Sequence, residues 1–558
     1  MQISQTGGGA VVAHQCLRKA RDLVDRALGK LRARCDLDGD FDPARLDEHQ
    51  MASYQLAFCV AELSAAEGLC AYAEQASEQD PLALDVALVF SAEMLQSTLQ
   101  RLAGWSEDIG LPRSEIFELY AHPLVEGFLA RHAGSERQAS IVDELYRRGS
   151  RHLPDLLGED KDLVRETFAR FADEVVAPLA QRIHRNDEDV PREILAQATE
   201  LGCFGISIPQ RFGGLQPDDH ADSLGMIVVT EELSRASLGA AGSLITRPEI
   251  AAKALLSGGT DAQQKEWLPK LASGESLCAI SITEPDYGSD VAALTLKATP
   301  TEGGWLLNGA KTWSTFAGKA HLLVVVARSE PDPSLGHKGL SLFLVEKPSH
   351  DGHQFRYQQD TGGVLSGKAI ATIGYRGMHS YDLFFENFFV PADRLLGEEE
   401  GRGRGFYFTM TGFSGGRIQT AARANGVMLA AFDQAMRYAA QRKVFGKPVA
   451  AYPLTRAKLG RIFTTLMASR QFSYAVARLM DEGGGQMEAS LVKLFACRAA
   501  EWVSREAMQI HGGMGYAEES DVSRYFVDAR VLSIFEGAEE TLALKVVARD
   551  LVSKARAV

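Results

Sequence analysis

The chain has 558 residues, of which 46% are hydrophobic and 24% are charged, and its formal net charge is −14 at pH 7. These values are typical of a globular protein that is too long for a single hydrophobic core, so several domains are expected. The acidic balance and the lack of any Lys/Arg-rich run exclude nucleic acids as expected partners.

The cysteines and the N-terminal segment indicate the cellular compartment of the protein. The seven cysteines are scattered, odd in number and without a Cys-x-x-Cys pair, which favours a reducing compartment and gives no thiolate zinc site. The first residues, "MQISQTGGGAVVAHQCLRKARD", lack the successive basic and apolar regions of a secretory signal. Apolar runs such as "HLLVVVA" from His321 are shorter than the ~20 residues of a membrane span. A cytoplasmic protein without membrane contact is therefore predicted.

The first half of the chain predicts two helical regions. Residues 1–155 form the first, a helical extension in which apolar residues recur three and four apart, as in "YQLAFCVAELSAAEGLCAYAEQ". Polar stretches such as "RRGSRHLPDLLGEDKD" then predict a domain boundary. Residues 156–275 are predicted to be a second helical domain, containing "LVRETFARFADEVVAPLAQRIHR" with one buried helix face.

The hydrophobic period changes after this second helical domain. Over residues 276–395 the segments "CAISIT", "GWLLNGAKTW", "HLLVVVAR", "LSLFLVE" and "DLFFENFFV" are short and separated by turn residues, which predicts an antiparallel sheet or small barrel. Residues 396–558 are again predicted to be helical, and Gly512 with Gly513 gives one long helix a natural end. The predicted fold class is α+β.

Familiar nucleotide and metal motifs are missing from the sequence. The glycines of "GRGRGF" at Gly401 follow a charged loop rather than a strand, which argues against a doubly wound dinucleotide fold. There is no G-x-x-x-x-G-K-[ST] phosphate loop and no His-Glu-x-x-His zinc motif, so no metal site is expected.

One carboxylate near the C-terminus stands in an unusual context. In "SIFEGAEETLALK", Glu536 lies between an apolar pair and a glycine. Burial there would disfavour the ionised carboxylate, which is costly for stability but useful for a general base. The alternative interpretation is an ordinary acid at a helix start, where Glu is common.

Six segments follow one another along the chain: "CAISITEPDYGSD" from Cys278, "NGAKTWST" from Asn308, "GYRGMHSYDLFFENFFVPADRLLG" from Gly374, "QRKVFGKPV" from Gln441, "QIHGGMGY" from Gln509 and "SIFEGAEE" from Ser533. In this order they resemble successive signatures of the acyl-CoA dehydrogenase family, and the resemblance covers about 400 residues. The resemblance implies a helical domain, a central antiparallel β-domain and a C-terminal four-helix bundle, preceded here by the helical extension.

The resemblance implies a role for Glu536. It would take the α-proton of an acyl-CoA thioester while the β-hydride passes to N5 of a bound flavin. The enolate oxygen would receive the backbone N–H of Glu536 and a ribityl hydroxyl, and Gly537 would keep a side chain from crowding the substrate or straining the turn.

Further residues are assigned by resemblance to FAD binding. Positions similar to those around the flavin ring and its pyrophosphate are Ile282, Thr283, Ser289, Trp313 and Thr315. Positions similar to those that reach the FAD of a neighbouring subunit are Arg442, Phe445, Gln509 and Gly513, which implies a homodimer or a dimer of dimers. An electron-transferring flavoprotein is the expected electron acceptor. Arg417 resembles a family arginine near the base, with a surface arginine at a helix start as the alternative.

Departures from the family pattern bear on the substrate. Ala538 stands where a flavin-contacting Thr is common, and Glu540 replaces a common Gln. The segment around residues 349–377 is longer than usual and predicts an added hairpin.

The long extension and "GSLITRPEI" resemble a subfamily that oxidises (2S)-methylsuccinyl-CoA to mesaconyl-CoA in the ethylmalonyl-CoA pathway. Arg247 is the candidate partner for the free carboxylate, because a buried charge needs a counter-charge. The alternative is that Arg247 faces solvent.

Other functions stay open at this point. One is a dehydrogenase of monocarboxylic branched substrates such as isovaleryl- or isobutyryl-CoA. A second is a flavin-binding relative of the fold without catalysis, and a third is an oxidase that releases peroxide in air.

Overall fold

The computed structural model describes residues 5–149 and 152–556. The chain divides into two compact units. The first contains the chain up to Asp162 together with the chain from Thr420 onward, and the second is Leu163–Gln419. The finer division at residues 155, 275 and 395 stays a prediction.

The N-terminal extension is helical, as its spacing of apolar residues predicts. Its elements are α1 (Gln5–Cys35), β1 (Asp36–Leu37), β2 (Asp40–Phe41), α2 (Pro43–Leu46), α3 (Gln50–Ala76), α4 (Leu82–Gly104), α5 (Ser106–Ile109), α6 (Arg113–Tyr120), α7 (Pro123–His132) and α8 (Ser135–Arg148). The stretch Pro43–Ala76 and helix α4 are long and apolar enough to cross a membrane by length and composition alone. However, 78% of each apolar window is buried inside the fold, as in the core helices of a soluble protein.

A second set of helices follows along the chain and, apart from its first four residues, belongs to the second unit. They are α9 (Glu159–Phe171), α10 (Ala177–Asn186), α11 (Arg192–Glu200), α12 (Ser223–Ala236), α13 (Thr246–Gly258) and α14 (Asp261–Ala272). A π-helical turn, Ala172–Val176, separates α9 from α10. Thr260 and Gln263 cap α14 reciprocally, each side chain bonding the other's backbone N–H.

The sheet of the second unit has eight strands. They are β3 (Cys278–Ser281), β4 (Lys297–Thr301), β5 (Gly304–Thr315), β6 (Leu322–Arg328), β7 (Leu340–Glu346), β8 (Gln354–Gln358), β9 (Val364–Ala369) and β10 (Ser380–Pro391). The order is β3-β6-β4-β5-β10-β9-β8, with β7 paired to β6. Most pairs are antiparallel, as predicted, but β6 pairs in parallel with β3 and, at one position, with β4. The long segment adds the hairpin β8–β9.

Strand β6 shows why the sheet holds together. Its run "LLVVVA" is apolar without alternation because both faces are buried, one in each of two hydrophobic clusters. Val324 packs in the cluster that includes Trp267 of α14, whereas Val325 packs in the cluster that includes Phe343 of β7. Strands carrying candidate site residues are thereby fixed from both sides.

The C-terminal part is helical. Its elements are α15 (Glu398–Gly401), α16 (Gly405–Gln441), β11 (Lys443–Val444), β12 (Lys447–Pro448), α17 (Pro453–Asp481), α18 (Gln486–His511), α19 (Asp521–Leu532), α20 (Glu539–Thr541) and α21 (Arg549–Lys554). A π-helical stretch, Leu542–Ala548, lies between α20 and α21. Helix α16 passes through the division between the two units, which falls after Gln419.

The extension and the C-terminal helices share one core within the first unit. Helix α3 packs against α17 and α18, and α8 packs along α17. Gly460 of α17 permits this approach, since a Cβ there would collide with the Gln138 carbonyl of α8. Arg470 and Asp155 form a buried ion pair at 2.8 Å. The extension is therefore an integral part of this unit rather than a loosely attached arm.

Candidate active site

Glu536 lies in a strained turn of the first unit. Helix α19 ends at Leu532 and α20 begins at Glu539, so Glu536 is in the connecting loop and is not a helix-start acid. Its φ is 56° and that of Gly537 is 101°. A non-glycine residue with positive φ is uncommon and often marks a functional site. A Cβ on Gly537 would meet no atom within 4 Å, so within this chain backbone strain, not crowding, accounts for the glycine.

The carboxylate of Glu536 is shielded and unevenly partnered. Its side chain is 10% exposed. Oε1 accepts hydrogen bonds from Nη1 and Nη2 of Arg423 at 3.4 and 3.3 Å. Oε2 is buried and has no hydrogen-bond partner among the residues that the structure describes. The sequence predicted an apolar setting, and the structure adds a fully buried arginine whose guanidinium also lies over the Phe535 ring. One carboxylate oxygen, Oε2, is therefore available to accept a proton.

Lys493 of α18 holds the turn that carries Glu536. Its Nζ donates to the carbonyl of Phe535 at 2.9 Å and to that of Gly537 at 2.5 Å. Lys493 is itself 1% exposed, and a buried ammonium needs such acceptors. The lysine ties the residues on either side of Glu536 to one helix.

Glu539, the third residue after Glu536, bonds residues outside the loop. Its Oε1 accepts from the Tyr54 hydroxyl at 2.5 Å and from Arg498 Nη2 at 2.6 Å. Arg498 also lies over the Phe58 ring, 3.5 Å from its centroid. Tyr54 and Phe58 both belong to α3 of the extension. The acidic run after Gly537 therefore connects the Glu536 loop to the extension.

Two of the predicted flavin residues lie in the second unit, where a buried ion pair fixes the strand end. The carbonyl of Ile282 accepts from Lys311 Nζ at 2.7 Å, and that of Thr283 accepts from the Thr312 N–H at 2.8 Å. Lys311 also pairs with Glu284 at 2.9 Å. Burial lowers the pKa of Lys311 to about 8, against the opposing effect of Glu284. Ile282 is buried and Thr283 is half-buried.

The other predicted ring contacts occupy the end of β5. Trp313 has a φ of 56° and is 55% exposed, which is unusual for so large an apolar side chain. Thr315 is buried, and its hydroxyl is 2.8 Å from that of Ser380 at the start of β10. Ser289 is exposed in the loop after β3. An exposed aromatic face beside strand-end polar groups fits a planar polar ring such as isoalloxazine.

Arg247 is buried at the start of α13, which rejects the alternative that it faces solvent. It is 7% exposed, and its Nη1 donates to the Ser243 carbonyl at 3.1 Å and lies 3.4 Å from the Tyr375 hydroxyl. Tyr375 is itself buried with a φ of 56°. Within residues 5–149 and 152–556, no carboxylate forms an ion pair with Arg247, although a buried cation is costly without one.

Arg417 does not occupy the helix-start position considered for it. It lies well inside α16, where it is half-buried. Burial lowers the pKa of its guanidinium. Its assignment as an arginine near the base stays a prediction.

The residues predicted to reach a neighbouring FAD are all exposed in the first unit. Arg442 follows α16, and Phe445 is at the tip of the β11–β12 hairpin. Phe445 is 97% exposed with a φ of 48°. Gln509 and Gly513 mark the end of α18, and a Cβ on Gly513 would meet no atom within 4 Å. An exposed phenylalanine in a strained turn contributes nothing to the core of its own chain.

Sequence reasoning missed Arg423, Lys493 and the partnership of Tyr54 with Glu539. Arg423 and Glu536 are 113 residues apart, and Tyr54 and Glu539 are 485 apart. No local spacing connects such pairs. The only signal for Arg423 was an arginine in an otherwise small and apolar part of α16, "TAARANG".

Comparisons with known proteins show the family of the chain. Family models for the N-terminal, middle and C-terminal domains of acyl-CoA dehydrogenase match residues 158–275, 279–388 and 403–552. The chain is 37% identical to (2S)-methylsuccinyl-CoA dehydrogenase of Cereibacter sphaeroides over 97% of this chain and 98% of that protein. It is 32% identical to mitochondrial isovaleryl-CoA dehydrogenase of Solanum tuberosum over 71% of this chain and 91% of the relative.

The fold is also similar to that of a solved member of the same family. Butyryl-CoA dehydrogenase of Megasphaera elsdenii superposes with a TM-score of 0.65 at 29% identity, covering 72% of this chain and 100% of that one. The order along the chain, with helices before and after the strands, is that of the predicted fold class. The chain belongs to the acyl-CoA dehydrogenase family, a family of flavin-dependent oxidoreductases.

Proposed function

We propose that this acyl-CoA dehydrogenase oxidises a short branched acyl-CoA with a free carboxylate, (2S)-methylsuccinyl-CoA, to mesaconyl-CoA in the ethylmalonyl-CoA pathway. The observation that carries the proposal is Arg247, a buried guanidinium that no described carboxylate pairs. A substrate carboxylate would supply the missing counter-charge. The relative from Cereibacter sphaeroides, which is similar along nearly the whole chain, supports the same substrate.

Glu536 is the proposed base. Its unpartnered Oε2 takes the α-proton, the α C–H electron pair becomes the second bond of the α,β double bond, and a hydride leaves the β-carbon. Bound FAD supplies the acceptor for that hydride. The backbone N–H of Glu536 donates to the thioester oxygen as negative charge develops there. Arg423 holds Oε1, so the other carboxylate oxygen is directed to the proton.

The residues proposed to hold FAD come from two sets. Ile282, Thr283, Ser289, Trp313 and Thr315 belong to the chain that binds the ring. Arg442, Phe445, Gln509 and Gly513 belong to a neighbouring copy, which makes the protein a homo-oligomer, either a dimer or a dimer of dimers. The exposure of Phe445 in a strained turn supports this second set. An electron-transferring flavoprotein in the cytoplasm is the proposed electron acceptor.

The substrate is tested by anaerobic mixing of the yellow protein with methylsuccinyl-CoA, isobutyryl-CoA and isovaleryl-CoA while the flavin absorbance is followed. We expect methylsuccinyl-CoA to reduce the flavin fastest at a given thioester concentration. In Arg247→Met this preference should fall by roughly 30-fold or more, because truncating one partner of a buried charge pair costs about 2–5 kcal/mol. The monocarboxylic thioesters serve as the control on the same variant.

Other outcomes identify the competing functions. A preference of the unmodified enzyme for isovaleryl-CoA, in line with the relative from Solanum tuberosum, would assign the protein to monocarboxylic substrates and remove the role of Arg247. Failure of every thioester to bleach the flavin would favour a non-catalytic relative of the fold. Peroxide release in air would favour an oxidase.

A further inference from the structure

A cluster of metal-ligating side chains in the second unit consists of residues that none of the assignments above uses. It consists of Asp187 after α10, His353 before β8 and His379 before β10. One ligand atom from each lies within 4.8 Å of the other two. Two imidazoles and a carboxylate form a common ligand set for zinc and similar divalent ions. No motif in the sequence predicts this cluster, since its three residues lie in separate segments of the chain.

One pair in the cluster already has the spacing of two ligands on one ion. Nε2 of His379 is 3.1 Å from Oδ1 of Asp187. Ligands about 2.0–2.1 Å from a tetrahedral zinc lie roughly 3.3 Å from each other. The His353 and His379 rings are 4.3 Å apart between centroids, so the second imidazole faces the same space.

The carboxylate of Asp189 orients the buried His379 through the ring nitrogen that does not face Asp187. Nδ1 of His379 is 3.1 Å from Oδ1 of Asp189, and His379 is 4% exposed. A metal-bound histidine commonly donates its other ring N–H to a carboxylate, which fixes the tautomer and the ring orientation. Oδ2 of Asp189 accepts from the Gly352 N–H at 2.6 Å, next to His353. One aspartate thus positions both histidines.

The cluster also has access to solvent and a competing cation. His353 is exposed and Asp187 is half-buried, so an ion and a completing water can enter from that side. Nε of Arg376 is 3.4 Å from Oδ1 of Asp187, and Nζ of Lys319 is 3.8 Å from Oδ2 of Asp189. These two cations offset the two carboxylates, and an ion would share Asp187 with Arg376.

We propose that Asp187, His353 and His379 bind one divalent transition-metal ion, with water as the fourth ligand, and that the ion ties the added hairpin to the end of α10. His379 precedes Ser380, whose hydroxyl meets that of Thr315, and its carbonyl accepts from the Phe316 N–H at 2.7 Å. The ion therefore fixes the start of β10 beside the end of β5. It takes no part in the chemistry.

Zinc titration of the full-length flavoprotein tests the proposal, after treatment with a chelator and buffer exchange. Calorimetry should show about one Zn²⁺ per chain. His353→Ala, chosen because His353 is exposed and its loss leaves the core intact, should weaken binding by about 10-fold or more, and Asp189→Asn by about 10–100-fold. Cobalt(II) should give the visible bands of a tetrahedral site in the unmodified protein and lose them in His353→Ala.

His220→Ala is the matched control. His220 is also exposed and bonds an aspartate, Asp219, at 2.7 Å, but the described residues give it no second histidine within the same cluster. It should bind zinc like the unmodified protein. Absence of stoichiometric binding, or equal binding by His353→Ala and His220→Ala, would overturn the proposal and leave His379 as an imidazolium held between two carboxylates.

Discussion

The strained backbone at Glu536 has a cost that neighbouring side chains must offset. A non-glycine residue in the left-handed region costs about 1–3 kcal/mol and persists only where its surroundings hold it. Lys493 supplies that constraint through two carbonyls, and Arg423 supplies it through the side chain. Glu536 is thereby fixed both by its backbone and by its carboxylate before any substrate binds.

Lys493→Met should separate this positioning role from folding. The variant leaves two carbonyls without their donor, at about 1–3 kcal/mol each. We expect kcat to fall by about 10- to 100-fold with little change in KM and with FAD retained, because the turn loosens while the flavin residues are untouched. Stopped-flow flavin reduction and FAD content measure the two effects.

Lys458→Met is the control for Lys493→Met. Lys458 lies in the same unit and pairs with Glu506 at 2.6 Å, but it contacts neither of the carbonyls beside Glu536. It should keep its kcat. If Lys493→Met lost only thermal stability and its folded fraction turned over normally, Lys493 would be structural and not a positioning residue.

At the scale of single residues, the sequence predicted the role of Glu536 but not the residues that surround it. Glu536 could be predicted because it stands in a continuous motif, and Gly537 because it is next to it. Arg423 and Lys493 could not, since only the packing of α16 and α18 around the loop brings them there. For the same reason, the sequence predicted an apolar environment for Glu536 but not the arginine that bonds its carboxylate.

Among the elements of the extension, α3 contacts the segment that follows the catalytic loop. Tyr54 bonds Glu539 beside that loop, and the next turn of α3 places Phe58 under Arg498. Burial and the hydrogen bond to Glu539 raise the pKa of Tyr54 to about 12, so its hydroxyl stays a donor through neutral pH. The extension therefore stabilises the segment that follows Glu536 through this hydrogen bond.

Tyr54→Phe tests this connection with the loss of one oxygen atom. A hydrogen bond to a charged group contributes about 1.5–3 kcal/mol, so we expect a lower thermal midpoint and a several-fold fall in kcat. Tyr120→Phe, at an exposed tyrosine of the same extension, should change neither quantity. An unchanged kcat in Tyr54→Phe would show that the extension does not influence the catalytic loop.

Element prediction succeeded where hydrophobic pattern and burial coincide. The five predicted strand segments correspond to β3, β5, β6, β7 and β10. Strand β4, "KATPT", was missed because only one of its residues is buried and it contains proline. The parallel pairing of β3 with β6 was also missed, since it depends on which distant strand lies adjacent rather than on the composition of β3.

For the whole molecule, the proposed FAD site needs residues of two chains. Mixed oligomers test this arrangement. Arg442→Ala and Trp313→Ala subunits should each bind FAD weakly as homo-oligomers, because the first lacks the neighbouring cation and the second lacks the ring contact. Co-expression should restore FAD to up to half of the sites, where a Trp313 from one chain meets an Arg442 from the other. Absence of any gain over the separate variants would place all FAD contacts within one chain.

The most direct measurement for the central claim is anaerobic flavin reduction by methylsuccinyl-CoA in Glu536→Gln, compared with the unmodified enzyme and with Glu540→Gln, an exposed acid of the neighbouring helix α20. The account predicts that Glu536→Gln keeps FAD and binds the thioester but is reduced about 10²–10⁴-fold more slowly, the usual contribution of a general base. Glu540→Gln should be reduced at the normal rate. Normal reduction of Glu536→Gln would contradict the account.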